Sequence, residues 1–172
     1  MRKLLIIAAP FAVLASPVAA QTATGTVDIN GTVASRCLFT LPNKTISLGE
    51  LALSSDGKLD VSKVNGRNET LAGWCNGTAA SMTVTTTQLT NPVAAAGGFD
   101  NRVDYTATAV TGLVSANDTS LVAGAGGASA VNMFNGNIVV TLSAASSPTS
   151  GLMVAGNYTG NVVVTLTPTV AP

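Results

Sequence analysis

The sequence predicts an all-β fold, an antiparallel sandwich, from three observations. Apolar and polar residues alternate in several short runs, turn residues separate those runs, and no window resembles a capped amphipathic helix. Val and Thr dominate the runs, and both are β-branched residues that suit a pleated sheet. Short strands divided by turns through about 150 residues are typical of a sandwich or barrel.

Each predicted strand has a period of two. The runs cover residues 26–33, 45–48, 81–87, 102–110, 137–143 and 159–167. Asn-Gly pairs at Asn65, Asn76 and Asn135 are among the turn signals between them. Residues 122–130 are low in complexity and predict a flexible loop. The fold of the middle segment, residues 88–135, stays open apart from the run at 102–110 and this loop.

Residues 1–20 have the layout of a secretory signal peptide. Arg2 and Lys3 precede an apolar stretch, and small residues end at Ala20 before Gln21. A membrane anchor is the alternative, but Pro10 breaks a stretch already shorter than the roughly 20 residues of a spanning helix. We therefore expect export and a mature chain of residues 21–172 with no membrane span.

The two cysteines, Cys37 and Cys75, both lie in the mature chain. In an exported protein a lone pair is expected to form one disulfide. Such a bridge would contribute roughly 4 kcal/mol in the chain-entropy treatment. Two free buried thiols are the alternative.

The composition argues against an enzyme. Only 9% of the residues are charged and there is no histidine, which removes the commonest general base and metal ligand. We expect no catalytic residues, no cofactor and no metal site. The carboxylate pairs Asp56 with Asp60 and Asp100 with Asp104 are interpreted as solvated loop residues. Eight basic against eight acidic residues leave no basic surface for nucleic acid.

Three segments resemble one family. Residues 27–37, an alternating strand with a glycine that leads into Cys37, resemble the start of chaperone–usher pilus subunits. Residues 46–51 (ISLGEL) are similar to the segment that follows the first cysteine of those subunits. Residues 155–166 (AGNYTGNVVVTL) are similar to their closing Gly-x-Tyr strand and to that of the spore-coat-U-like branch.

The resemblance implies an immunoglobulin-like sandwich that lacks its final strand. In that family a periplasmic chaperone covers the resulting groove, and the N-terminal extension of the next subunit then fills it at an outer-membrane usher. The product is a cell-surface fibre with a role in adhesion. Residues 21–29 would be the extension and residues 30–172 the sandwich domain. The donor side chains would be Ala23, Gly25, Val27 and Ile29, and the acceptor groove would include Val162, Val164 and Leu166.

Two alternatives stay open at this stage. The N-terminal segment could be an ordinary first strand that completes its own sheet. The chain could also be a self-complete secreted binding module for carbohydrate or matrix, which requires an exposed aromatic or acidic patch. Trp74 is the one tryptophan, and its position beside Cys75 predicts that it packs against the disulfide in the core.

Overall fold

A computed structural model describes residues 21–169. These residues form an antiparallel, all-β sandwich, which confirms the predicted fold class. One short 3-10 helix, Val61–Lys63, is the only helical element in this range. The strands are β1 Cys37–Leu41, β2 Asn68–Cys75, β3 Ala80–Thr86, β4 Leu89–Thr90, β5 Phe99–Asp100, β6 Arg102–Thr111, β7 Val114–Thr119, β8 Ser129–Val131, β9 Phe134–Ser146, β10 Leu152–Met153 and β11 Val162–Pro168.

Two antiparallel sheets face each other. The larger has the order β1-β2-β9-β6-β4, with β7 also paired to β6. The smaller has the order β11-β3-β8, and a short parallel pair joins β10 to β5. The sandwich therefore ends at two edge strands on one side, β1 in the larger sheet and β11 in the smaller.

The core lies between the sheets. In β3 every second residue is fully or almost fully buried, including Met82 and Val84. Ile138, Val140 and Leu142 of β9 meet them from the larger sheet. Because side chains alternate across a strand, this burial explains the period of two in the sequence.

Two predicted strands are absent. Residues 26–33 and 45–48 form no strand in the single chain, because a β-strand requires a partner and neither segment has one here. Residues 45–48 nevertheless keep the burial of a strand, since Ile46 and Leu48 pack against the core while Thr45 and Ser47 are exposed. The predicted loop 122–130 is largely irregular and enters β8 at Ser129. The signal peptide, residues 1–20, lies outside the described residues.

Cys37 and Cys75 form a disulfide, as predicted. They are directly opposite each other in the β1–β2 ladder, so the bond ties the edge strand β1 to the sheet. Cys75 faces the core and is 2% exposed.

The prediction for Trp74 is wrong. Its neighbours Gly73 and Cys75 are both buried, so the alternation along β2 turns Trp74 to the opposite, outer face of the larger sheet. There it is half-buried and lies opposite the exposed Leu38 of β1. The prediction relied on the position of Trp74 next to Cys75 in the sequence. The alternation of side chains along β2 gives the observed side.

The interpretation of Asp100 and Asp104 as solvated residues is also wrong, because they are 3% and 2% exposed. Asp104 lies 3.7 Å from the Nε of Arg102 and accepts a hydrogen bond from the Ser120 hydroxyl. A third buried acid, Asp118, accepts hydrogen bonds of 2.7 Å from both the backbone N–H and the hydroxyl of Thr86. That contact joins β7 to β3 and so connects the two sheets.

Asp100 organises the loop before β10. Its carboxylate accepts hydrogen bonds from the N–H and hydroxyl of Thr149 and from the N–H of Gly151, the last at 2.9 Å. Burial alone would raise the pKa of this carboxyl, but the donors from Gly151 and Thr149 together hold its pKa below the ordinary value. The ionised carboxylate therefore stabilises the fold.

Asp100→Asn is expected to lower the free energy of unfolding by about 1–3 kcal/mol at pH 7, because an amide offers one acceptor oxygen instead of two. The pKa of Asp100 is lower in the folded protein, so its contribution is complete above the unfolded pKa and is lost as the pH falls through the folded pKa. Urea unfolding at pH 7 and pH 3 measures this, and the difference between the two proteins should be smaller at the lower pH. Asp56→Asn, in an exposed turn, is the control. An equal deficit at both pH values would contradict the electrostatic origin.

Candidate functional site

A groove opens on the side of the sandwich where the two edge strands lie. One wall is the extended segment 44–52, and the other is residues 153–162, which lead into β11. The groove consists of a cavity of about 760 Å³ and an adjoining cavity of about 270 Å³. Both cavities contact Ile46, Leu48 and Leu89, so they form one continuous depression.

The floor of the smaller cavity is apolar. It is made by core-facing side chains from four strands, and its rim carries Lys44 and Glu69. The opening between the two sheets therefore exposes core residues that a further strand would cover in a complete sandwich. The floor residues are Leu71, Leu89, Tyr105, Val140 and Leu142.

Unpaired backbone borders the groove along residues 42–50 and, on the other wall, where β11 begins at Val162; residues 153, 154, 159 and 161 of that wall already have backbone partners. Among residues 21–169, no backbone–backbone hydrogen bond involves residues 42–50. In the same range β11 pairs only with β3, which leaves its other edge free. A free edge presents a row of N–H and C=O groups that can hydrogen-bond another strand.

The three predicted groove residues divide into two groups. Val162, Val164 and Leu166 all face the core, as their alternating burial shows. Only Val162 lines the smaller cavity, whereas Val164 and Leu166 belong to the packed core beyond it and line neither cavity.

The groove narrows beyond Val162. Cα atoms of β1 and β11 approach within 8 Å of each other. Two strands with a third between them lie roughly 9.5 Å apart, twice the usual spacing. A strand that extended along Val164 and Leu166 would therefore have to separate β1 from β11.

Tyr105 fixes the start of the β11 wall. Its hydroxyl lies 2.8 Å from the carbonyl oxygen of Thr87 and 3.1 Å from that of Asn161, so it can donate to either. Burial, with a smaller contribution from the charge of Asp118, raises the pKa of Tyr105 to about 12, which keeps the hydroxyl protonated as a donor. No local sequence pattern indicates this role, because the partners are 18 and 56 residues away.

The predicted donor residues lie in a separate unit of the chain. Residues 21–32 have no regular secondary structure, and every one of them is exposed. Val27 is 85% and Ile29 is 92% exposed, values unusual for large aliphatic side chains. Ala23 and Gly25 precede them on the same face of an extended strand, and nothing lies within 4 Å of a Cβ built on Gly25.

Within the described residues, no group of three or more His, Cys, Asp or Glu side chains is arranged to hold a metal ion. Residues 21–169 also contain no helix that is long and apolar enough to cross a membrane. Comparisons of the chain with family models, curated proteins and solved structures find no match.

Proposed function

We propose that this protein is a structural subunit of a bacterial surface fibre that assembles by donor-strand exchange and contributes to adhesion. The observation that carries the proposal is that one chain contains two complementary features. One is an apolar groove bordered by the unpaired backbone of residues 42–50 and by the free edge of β11 at Val162, and the other is an N-terminal segment with alternating apolar residues. The resemblance of residues 27–37, 46–51 and 155–166 to chaperone–usher pilus subunits adds independent support.

The proposed contact is strand addition between copies. Residues 21–31 of one subunit would lie in the groove of the next and hydrogen-bond to the unpaired backbone of residues 42–50 and to β11 at Val162, while Val27 and Ile29 enter the apolar floor. Burying each of these side chains contributes about 1.5–3 kcal/mol. The exposure of both residues in the single chain supports a role that is fulfilled only in a second copy.

Partners and location follow from this proposal. Other subunits of the fibre are the lasting partners, a periplasmic chaperone covers the groove before assembly, and an outer-membrane usher exports the growing polymer. The protein would be exported through the periplasm to the cell surface. The proposal assigns no catalytic step, no cofactor and no nucleic-acid contact to this chain.

Completion of the sheet within one chain is the competing arrangement. It requires residues 26–33 to be a strand of their own sandwich, and they form no strand in the single chain. Exchange between copies is therefore the better supported arrangement.

Concentrated mature chain, residues 21–172, is expected to form polymers that resist SDS and separate on boiling, because each subunit is held by a full set of strand hydrogen bonds. The Val27→Asn, Ile29→Asn double variant should give no ladder on unboiled gels. The matched control is Thr26→Asn with Asp28→Asn, which changes the neighbouring positions on the opposite face and should retain the ladder. A ladder that survives deletion of residues 21–29 would overturn the proposal.

A further inference from the structure

Part of the outer face of the larger sheet has no charged side chain across four neighbouring strands. We define the neutral face as the outward residues of β2 from 68 to 74, β9 from 135 to 143, β6 from 106 to 110 and β7 from 115 to 119. No Asp, Glu, Lys or Arg occupies these positions. The row that crosses all four strands is Asn117, Thr108, Thr141 and Asn68.

Two acids of these strands point to the other side: Asp118 is buried against β3, and Glu69 lines the groove. Asp104 lies on the outer side of β6, opposite the core-facing Tyr105, but it is buried next to Arg102 beyond the end of the neutral face. Solvent-exposed sheet faces usually carry charge, and this chain has charged residues available on the same strands. The outer face of the smaller sheet is uncharged as well, since β3, β8 and β11 contain no charged residue. The neutral face therefore differs from it not by charge but by the tryptophan that it carries.

One end of the neutral face holds the single tryptophan. Trp74 lies opposite Asn135, and Ala72, two residues before it on the same face, lies opposite Asn137. The small Ala72 leaves the indole flanked by two exposed side-chain amides, which are separated along β9 by about 7 Å. The exposed Leu38 borders the indole on the other side.

This combination fits a neutral polysaccharide. An indole offers an apolar surface to the C–H face of a sugar ring, together with an N–H donor at its edge. Asn, Thr and Ser supply both donors and acceptors, as sugar hydroxyls require. An acidic polysaccharide would find no cation on this face to compensate its charge.

A second copy of the chain fits less well. The cores of protein interfaces are apolar, and on the neutral face Val110 and Val139 are the one adjacent pair of large aliphatic residues, each 37% exposed. Hydroxyl and amide side chains surround them on every strand.

From these observations we infer that the neutral face is a binding site for a neutral polysaccharide, with Trp74, Asn135 and Asn137 as its centre. The site is on the opposite side of the larger sheet from the groove floor. It would therefore leave both groove and N-terminal segment free, and a fibre would display one such face on each subunit.

The test uses the full mature chain in two assays. In native gels that contain hydroxyethylcellulose, laminarin or mannan, the chain should be retarded by at least one of the three. It should not be retarded by polygalacturonate, the acidic control. Because Trp74 is the one tryptophan, oligosaccharides of the retarding polymer should also change the intrinsic fluorescence of the wild-type chain.

Two variants test whether the polysaccharide binds to the neutral face. Trp74→Ala should abolish the retardation, and Asn137→Asp should weaken binding roughly tenfold, since it adds a charge and removes an amide donor. Thr165→Asp adds the same charge to the outer face of β11 and should bind as the wild type does. Mobility in polymer-free gels corrects for the charge change, and circular dichroism confirms that each variant is folded.

Three results would overturn the inference. One is the absence of both retardation and fluorescence change with all three neutral polymers, and another is equal retardation by polygalacturonate. The third is an equal loss in Thr165→Asp and Asn137→Asp. None of these results bears on fibre assembly, because the SDS-resistant ladder depends on the groove and on residues 21–29.

Discussion

A chain that lacks residues 21–29 is expected to be strongly stabilised by a peptide with the sequence of residues 21–31. A ligand that binds only the folded state contributes about 4 kcal/mol when present at about 1,000 times its Kd. For a domain near 150 residues, each kcal/mol raises Tm by about 2–4 °C, so the expected increase is roughly 8–16 °C.

The physical reason lies in the two walls of the groove. The unpaired backbone of residues 42–50 and the free edge of β11 at Val162 can hydrogen-bond a strand placed between them, and that strand also covers the apolar floor. Without the peptide, this floor and the adjoining core remain in contact with water. The stabilisation should therefore be accompanied by loss of binding of a hydrophobic dye.

Matched variants on each side of the contact make the measurement specific. A peptide with Val27→Asn and Ile29→Asn should raise Tm little, whereas one with Thr26→Asn and Asp28→Asn should retain the effect. On the groove side, Val162→Lys should weaken the response, and Val163→Lys, at the neighbouring exposed position, should not. A Tm that is unchanged by a saturating concentration of the native peptide would contradict strand acceptance in this groove.

The sequence predicted those parts of the fold in which burial alternates along a strand. Strands β3, β6, β9 and β11 lie close to the predicted runs, because one face of each strand meets the core. Apolar and polar residues alternate just as clearly in residues 26–33, but these residues form no strand. An alternating pattern shows that a segment can pair in a sheet, and it does not show that a partner strand is present.

The parts that were missed depend on contacts between distant residues. The burial of Asp100 follows from donors about 50 residues later in the chain, and that of Asp118 from Thr86, 32 residues earlier. The Tyr105 contact with Asn161 is equally remote. Of the three predicted groove residues, Val162 lines the smaller cavity. The groove narrows beside Val164 because β1 lies close to β11, and no local sequence pattern predicts that contact.

The alternation of side chains along β2 would have predicted the correct side of the sheet for Trp74. Leu71, Gly73 and Cys75 share the core-facing side of β2, so Trp74 belongs with Thr70 and Ala72 on the outer side. The strands also give the scarcity of charged residues a location, because the neutral face and the whole smaller sheet carry no charge. The tryptophan distinguishes the neutral face from the smaller sheet and supports the inferred polysaccharide site.

Removal of the disulfide is the second change with a large expected effect. The Cys37→Ala, Cys75→Ala double variant should lose roughly 4 kcal/mol of unfolding free energy, because the unfolded chain is no longer constrained by a closed loop. Thermal and urea unfolding measure the loss, which corresponds to a decrease in Tm of roughly 8–16 °C. Wild-type protein reduced under the same conditions should show a similar decrease, whereas the untreated wild type is the reference.

The effect should extend to the groove, because the disulfide anchors β1 and the chain runs from β1 directly into the wall formed by residues 44–52. β1 pairs only with β2 among the described residues, so without the Cys37–Cys75 bond that ladder alone holds it in place. A loosened β1 would leave the wall less ordered, and the donor peptide would then have to order it on binding. We therefore expect weaker peptide binding as well as lower stability in the double variant. A variant that loses stability but binds the peptide with unchanged affinity would contradict this role of the disulfide. Residues 44–52 would then be held in place by the contacts of Ile46, Leu48 and Leu51 with the core.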